Sequence, residues 1–232
     1  VQFNPGKREL TLKVVYYGPA LSGKTTNLRA LYQAAESTTR GRLMTLDTAD
    51  DRTLFFDLLP LSLKTESGVR VKMKLFTVPG QVMHNSTRRI VLQGVDAVAY
   101  VADAQPSARQ ANYDYWRNLT ENLRANSIAI EELPVVIQFN KCDLADPAMG
   151  EEISEIRRTA REPVHLAVAI RQEGVVSTFL DLARLTYERL DAQHSLSTRL
   201  GMKKAEYMHE LTKTLVATPF EPTDVLRQAW GA

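Results

Sequence analysis

Gly18-Pro19-Ala20-Leu21-Ser22-Gly23-Lys24-Thr25 is the stretch on which the reading of this chain turns. It has the form G-x-x-x-x-G-K-[ST]. Leu10 to Tyr17, before it, is rich in β-branched and aromatic residues and reads as a strand. Lys24 to Ala35, after it, reads as a helix with Leu28, Leu31 and Tyr32 on one face. Strand, glycine loop and helix in that order make a cradle for phosphate. Successive backbone N–H groups face the anion, and the helix N-terminus adds partial positive charge. Gly18, Ala20, Leu21, Ser22, Gly23, Lys24, Thr25 and Thr26 would surround a polyphosphate. Lys24 reaches the β- and γ-phosphates, and the Thr25 hydroxyl ligates magnesium, a hard cation that prefers oxygen. The loop alone suits an ATPase or a small-molecule kinase equally well.

Strand and helix patterns alternate outward from this loop, which predicts an α/β fold with a mostly parallel sheet and helices on both faces. Leu54 to Leu63 and Val69 to Phe76 flank Ser67-Gly68 and read as a hairpin. Val95 to Ala102, Val135 to Phe139 and Val164 to Val168 read as further strands. Arg109 to Asn126 and Val175 to Leu190 read as helices. The expected division is a domain over 1–193 and an extension over 194–232. Leu200, Tyr207, Met208, Leu211 and Leu215 predict a helix in that extension, with Gly201 inside it, either covering the chain's own core or docking a partner. Pro219 to Ala232 reads as a tail disordered until bound.

The base is read from Asn140-Lys141-Cys142-Asp143 at the end of an apolar strand. The Asp143 carboxylate can accept from both guanine N1–H and the exocyclic amine. Adenine lacks that pair of donors and would leave the carboxylate unpaired. Lys141 can lie over base and ribose, and Asn140 can tie this loop to the phosphate loop. Val168 and Ala169, after the next strand, offer backbone to the guanine oxygen. Small apolar residues at a strand end also serve packing alone.

A third segment, Thr77-Val78-Pro79-Gly80-Gln81, follows the hairpin. Ras-like GTPases carry D-x-x-G-Q here. The glycine N–H meets the γ-phosphate and the glutamine orients the attacking water. Gly80 and Gln81 fit; Thr77 stands where an aspartate supports magnesium through water, and brings no charge.

Taken together, residues 8 to 192 resemble the MglA family of bacterial Ras-like small GTPases. The resemblance is carried by Val15-Tyr16-Tyr17-Gly18-Pro19, Leu21 to Leu28, Asp51-Arg52-Thr53-Leu54-Phe55-Phe56-Asp57, Leu59-Pro60-Leu61, Thr77 to Gln81 and Asn140-Lys141. Threonine at the switch aspartate is shared with that family. The resemblance implies a P-loop NTPase of the Ras-like GTPase class that binds GTP or GDP with Mg2+. It implies that Arg52 and Gln81 are catalytic and that Thr53 joins Thr25 on the metal. It implies a roadblock-fold activating partner, a dimer of the MglB type, and a role in cell polarity or motility with recruitment to a pole. Without it, Arg52 is equally a solvated charge beside Asp50 and Asp51, and Thr45 and Thr48 compete with Thr53. Ala20 departs from the family's glycine, and the extension past Gln193 is additional. A nucleotide-stabilised interaction module with negligible turnover is the alternative that Ala20 and Thr77 leave open.

Composition sets the remaining bounds. The 232 residues carry 29 Lys and Arg against 27 Asp and Glu, a net +2, which gives no polyelectrolyte argument for nucleic acid. Cys142 is the one cysteine, so neither a disulfide framework nor a cysteine metal site is expected. No apolar run reaches the roughly 18 residues of a membrane span. Val1 to Gly6 does not read as a signal peptide, and Trp230-Gly231-Ala232 is no prenylation box. A cytoplasmic protein is expected, with peripheral membrane contact left open.

Overall fold

Alternation along the second strand organises the molecule. The computed structural model describes residues 1–46, 56–81, 84–221 and 223–229. In chain order the strands are β1 (Gln2–Asn4), β2 (Glu9–Tyr17), β3 (Met44–Leu46), β4 (Phe56–Lys64), β5 (Arg70–Thr77), β6 (Ala97–Asp103), β7 (Val135–Asn140) and β8 (Val164–Ala167). The helices are α1 (Lys24–Ala34), α2 (Asn85–Val91), α3 (Arg109–Ala125), α4 (Pro147–Thr159), α5 (Val175–His194), α6 (Leu196–Arg199), α7 (Lys204–Lys213) and α8 (Asp224–Ala229).

The strands form one sheet in the order β3-β4-β5-β2-β6-β7-β8, with β1 beside β2. β5, β2, β6, β7 and β8 run parallel, while β4 is antiparallel to β5. Leu10, Leu12, Val14 and Tyr16 point to one face of β2 and pack with α1, α5 and α7. Val15 and Tyr17 point to the other and pack with α2, α3, α4 and α8. Every residue of β6 and β7 is buried, as expected of strands covered on both faces. Because these strands are parallel, the loops leaving β2, β5, β6, β7 and β8 all emerge at one edge. Ligands of open α/β sheets bind at that edge.

The hairpin, the central strands and the long helices lie where the sequence places them, within a few residues. Leu54 and Phe55 lie outside the described residues. The differences concern the remainder, where β1, β3, α2 and α6 also went unread. α4 has no counterpart in the sequence reading; it is capped by the Asp146 side chain, which accepts from Met149 N at 2.8 Å, with Pro147 opening the first turn. Gly201 is not inside a helix: α7 starts at Lys204, and Gly201 takes φ +72° before it. The tail is not wholly unstructured either. Within it α8 buries Leu226 against the α4 side of the sheet.

Candidate functional site

The phosphate loop turns off β2 at Gly18 and enters α1 at Lys24. Gly23 sits at φ +97°, and a Cβ there would stand 2.1 Å from Asn140 Nδ2, so both conformation and space exclude a side chain. As N-cap, Gly23 supplies no side-chain bond, so the first N–H groups of α1 face the loop. The Lys24 ammonium, 6% exposed, donates to Gly18 O at 2.9 Å and Pro19 O at 2.6 Å. Burial pushes its pKa down to about 7; Arg88 adds to the shift and Asp57 opposes it. Such a cation gains from an anion brought within reach. Ser22 Oγ is buried without a hydrogen-bond partner. Ala20, Leu21, Gly23, Lys24, Thr25, Thr26, Gly80 and Gln81 line one open cleft of about 490 Å³.

At one end of the cleft lies a carboxylate among hydroxyls. Asp57 on β4 is 5% exposed. Its Oδ2 accepts from Thr25 Oγ1 at 2.6 Å and Thr77 Oγ1 at 3.0 Å, and its Oδ1 from Thr45 Oγ1 at 2.8 Å. The register puts Thr45 opposite Asp57 on β3, and the Asp57 N–H donates to Thr77 Oγ1 at 2.8 Å from β5. Hard oxygen donors of this kind suit magnesium. Among the described residues no cluster of three or more His, Cys, Asp or Glu could hold a metal, so a cation here would lean on hydroxyl and phosphate oxygens.

The segment after β5 is pinned through its carbonyls. Tyr115 of α3 donates to Gly80 O at 2.7 Å. Arg88 of α2, 2% exposed, donates to Gln81 O at 2.5 Å and lies over the Tyr115 ring. A Cβ on Gly80 would stand 2.4 Å from Ala20 Cα, so this segment and the phosphate loop abut.

Asn140 is the hub of the opposite end. Its Nδ2 donates to Ser22 O at 2.8 Å, and its Oδ1 accepts from Ala169 N at 2.9 Å. One side chain thus fastens the phosphate loop to the two loops that follow β7 and β8. Lys141 takes φ +62°, and its ammonium is bonded to Asp103 at the end of β6. Asp143 stands 3.7 Å from Arg171, which is also held by Glu173. Val168 and Ala169 are buried in the turn leading to Arg171. Cys142 is buried and its thiol pushed up to about 12, chiefly by desolvation, so it is not a reactive group.

Over 187 residues the chain is 42% identical to the mutual gliding-motility protein MglA of Myxococcus xanthus (strain DK1622), a match that covers 81% of this chain and 96% of that protein. The chain belongs to the MglA family. No protein-family model matches it. Membership fixes the fold as that of a Ras-like P-loop GTPase, in agreement with the sheet order and the loop edge.

Three features of this MglA-family chain bear on the expectations. Arg52 and Thr53 lie outside the described residues. Gln81 lines the phosphate cleft and is exposed. Asp57 and Asp103 were not singled out as site residues, yet both carboxylates are buried at the loop edge. A turn centred between Ser67 and Gly68 would set Asp57 across from Val78; the observed register is centred on Ser67 and brings Asp57 to Thr77 instead. Asp103 had no signal, since its partner comes from another strand. Among the described residues no helix is long and apolar enough to cross a membrane.

Proposed function

We propose that this chain is a guanine-nucleotide switch that binds GTP or GDP with magnesium and hydrolyses GTP slowly. A roadblock-fold dimer of the MglB type is its proposed activator, and control of cell polarity or motility its proposed task. The M. xanthus relative is named for gliding motility, which supports that task. Residues 1–193 form the nucleotide-handling unit, and 194–232 brace it. The protein acts in the cytoplasm and is recruited to a pole.

The observation that carries the proposal is the Asn140 hub, whose two bonds tie a phosphate loop to a base-reading loop. Gly18 to Thr26 cradle the phosphates, with Lys24 as counter-charge. Asn140, Lys141, Asp143, Val168 and Ala169 receive the base. Thr25 and Thr53 would hold the magnesium beside the Asp57 carboxylate to which Thr25 Oγ1 donates, and the ion would offset charge on the phosphates. Gly80 faces the γ-phosphate, Gln81 orients the attacking water, and Arg52 offsets charge that grows on the phosphoryl oxygens.

Competition against a fluorescent guanine nucleotide tests base choice. GTP and GDP should displace the probe at least about 100-fold better than ATP, since adenine lacks the two donors that the Asp143 carboxylate would accept. Asp143→Asn should weaken GTP by about 3 kcal/mol and turn preference toward xanthosine nucleotides. Equal displacement by ATP and GTP would end the guanine reading. The contact of Ala20 with Gly80 favours one second reading, an interaction module with negligible turnover. Multiple-turnover phosphate release with and without the roadblock partner separates the two.

A further inference from the structure

We propose that Asp103 is a positioning residue for the base platform: its carboxylate anchors the Lys141 ammonium so that the lysine stem stays over the purine of a bound nucleotide. The inference rests on the guanine-nucleotide reading above and adds a residue outside the loops that carry its motifs.

Asp103 closes β6 in register with Asn140 of β7, so the two strand ends set it beside the base-reading loop. Its side chain is 6% exposed, against 27% for Lys141. Its backbone is clamped from α3: Asp103 N donates to Asn112 Oδ1 at 3.0 Å, and Asn112 Nδ2 donates to Asp103 O at 2.8 Å. Its Oδ1 accepts from Gln105 N at 3.0 Å; Gln105 Nε2 is shared between Oδ1 and Oδ2, 3.2 Å from each, and Oδ2 also accepts from Lys141. A carboxylate so buried needs a cation, and Lys141 supplies it.

Lys141 gains in turn. It sits in the left-handed region, where a residue with a Cβ is disfavoured, so its conformation must be held from outside. Asn140 holds the backbone before it, and Asp103 holds the far end of the side chain. A lysine fixed at both ends presents its methylenes as a flat apolar strip. A free lysine has to be ordered each time a nucleotide binds, which costs side-chain entropy. Asp103 also spreads the ammonium charge toward the sheet end rather than toward the base, so contact with the ring is through the stem.

The test uses the full chain and the release of a fluorescent GDP chased by excess GDP. Asp103→Asn, Asp103→Ala and Lys141→Ala should each speed release about tenfold, the scale of one ordered long side chain. The double variant should be no faster than Lys141→Ala alone. Inorganic triphosphate, which has no base, should compete equally against every variant. A loss that extends to triphosphate, or rates that simply multiply in the double variant, would overturn the proposal and mark Asp103 as scaffolding. If Asp103→Ala fails to fold, Asp103→Asn decides alone, because it keeps the volume and the Asn112 clamp. Competition of the unmutated chain with ATP is run beside these, so failure of the guanine reading shows as equal ATP displacement and not as a result of the cycle.

Discussion

Lys24 holds a charge that its surroundings disfavour. Burial pushes it down to about 7 from the ordinary 10.5, the value to which unfolding returns it. Between those values the unfolded chain binds more protons than the folded one, so stability rises with pH across that window. Below it the full penalty is present. In nucleotide-free protein, unfolding free energy from urea titrations should therefore climb between about pH 7 and 10 relative to Lys24→Met, by at most about 5 kcal/mol. Saturating GTP should flatten the difference, because phosphate favours the ammonium. Parallel pH curves for the two proteins without nucleotide would refute it. Lys24 was legible from its motif because backbone geometry alone fixes its place in the loop. Asp57 was half legible. A hairpin at Ser67-Gly68 put it near the end of β5 but one residue out of register, and a strand aspartate between apolar residues gives no sign of the hydroxyls from Thr25 and Thr45 that face it. Those come from α1 and β3, and a three-residue strand such as β3 leaves no periodic trace.

Among the elements, α7 is the one whose role in the molecule the periodicity foresaw only in outline. Helical spacing of Tyr207 and Leu211 indicated an apolar face, and that face enters the same core as α1 and α5. Tyr207 is 2% exposed and stacks on Tyr187 of α5 with ring centroids 5.5 Å apart. After α7 the chain donates from Val216 N to Ala34 O at the end of α1, and Gly174 N donates to Thr218 O at the head of α5. The extension is thereby stitched to the helices that start at the phosphate loop and after the base loop. Tyr207→Ala should cost about 3 to 5 kcal/mol, the price of emptying a large aromatic site in a packed core. Equilibrium unfolding measures it directly, and a change under about 1 kcal/mol would show that α7 lies outside the cooperative unit. The misplacement of Gly201 has a simple cause: apolar spacing carries across a break, whereas the turn at Gly201 depends on backbone that spacing does not report. α4 went unread although Asp146-Pro147 is a start signal, because its buried positions, Met149 and Ile153, are sparse among charged residues.

Taken as a whole, the molecule brings its loops to one sheet edge and leaves the chemistry to their mutual distance. That edge follows from parallel strands, so the alternating pattern was enough to foresee it. That Ala20 lies near the segment of Gly80 and Gln81 was foreseen from their shared place at the γ-phosphate; the direct backbone approach of the two loops was not. It bears on hydrolysis, the step on which the proposed switch turns. Ala20 is exposed at the mouth of the loop, and Gln81 is exposed in the segment that abuts it. Under the proposed mechanism both occupy the space through which water approaches the γ-phosphate. Ala20→Gly removes a methyl from that space and should speed single-turnover hydrolysis about tenfold, the effect of roughly 1.4 kcal/mol on a barrier. Gln81→Leu should slow it without weakening GTP, because the glutamine acts on the water and not on the nucleotide. Arg52→Ala should spare GTP affinity and remove about 1,000-fold or more of partner-stimulated turnover, the scale of an arginine supplied to the transition state. The three variants discriminate because they touch different contributions to one step: access of water, its orientation and the charge on the phosphoryl oxygens. An Ala20→Gly protein no faster than the parent would mean that the Ala20 methyl does not limit approach of water. If Arg52→Ala leaves stimulated turnover intact, Arg52 is a surface charge, and the arginine, where one is needed, must come from elsewhere in the assembly.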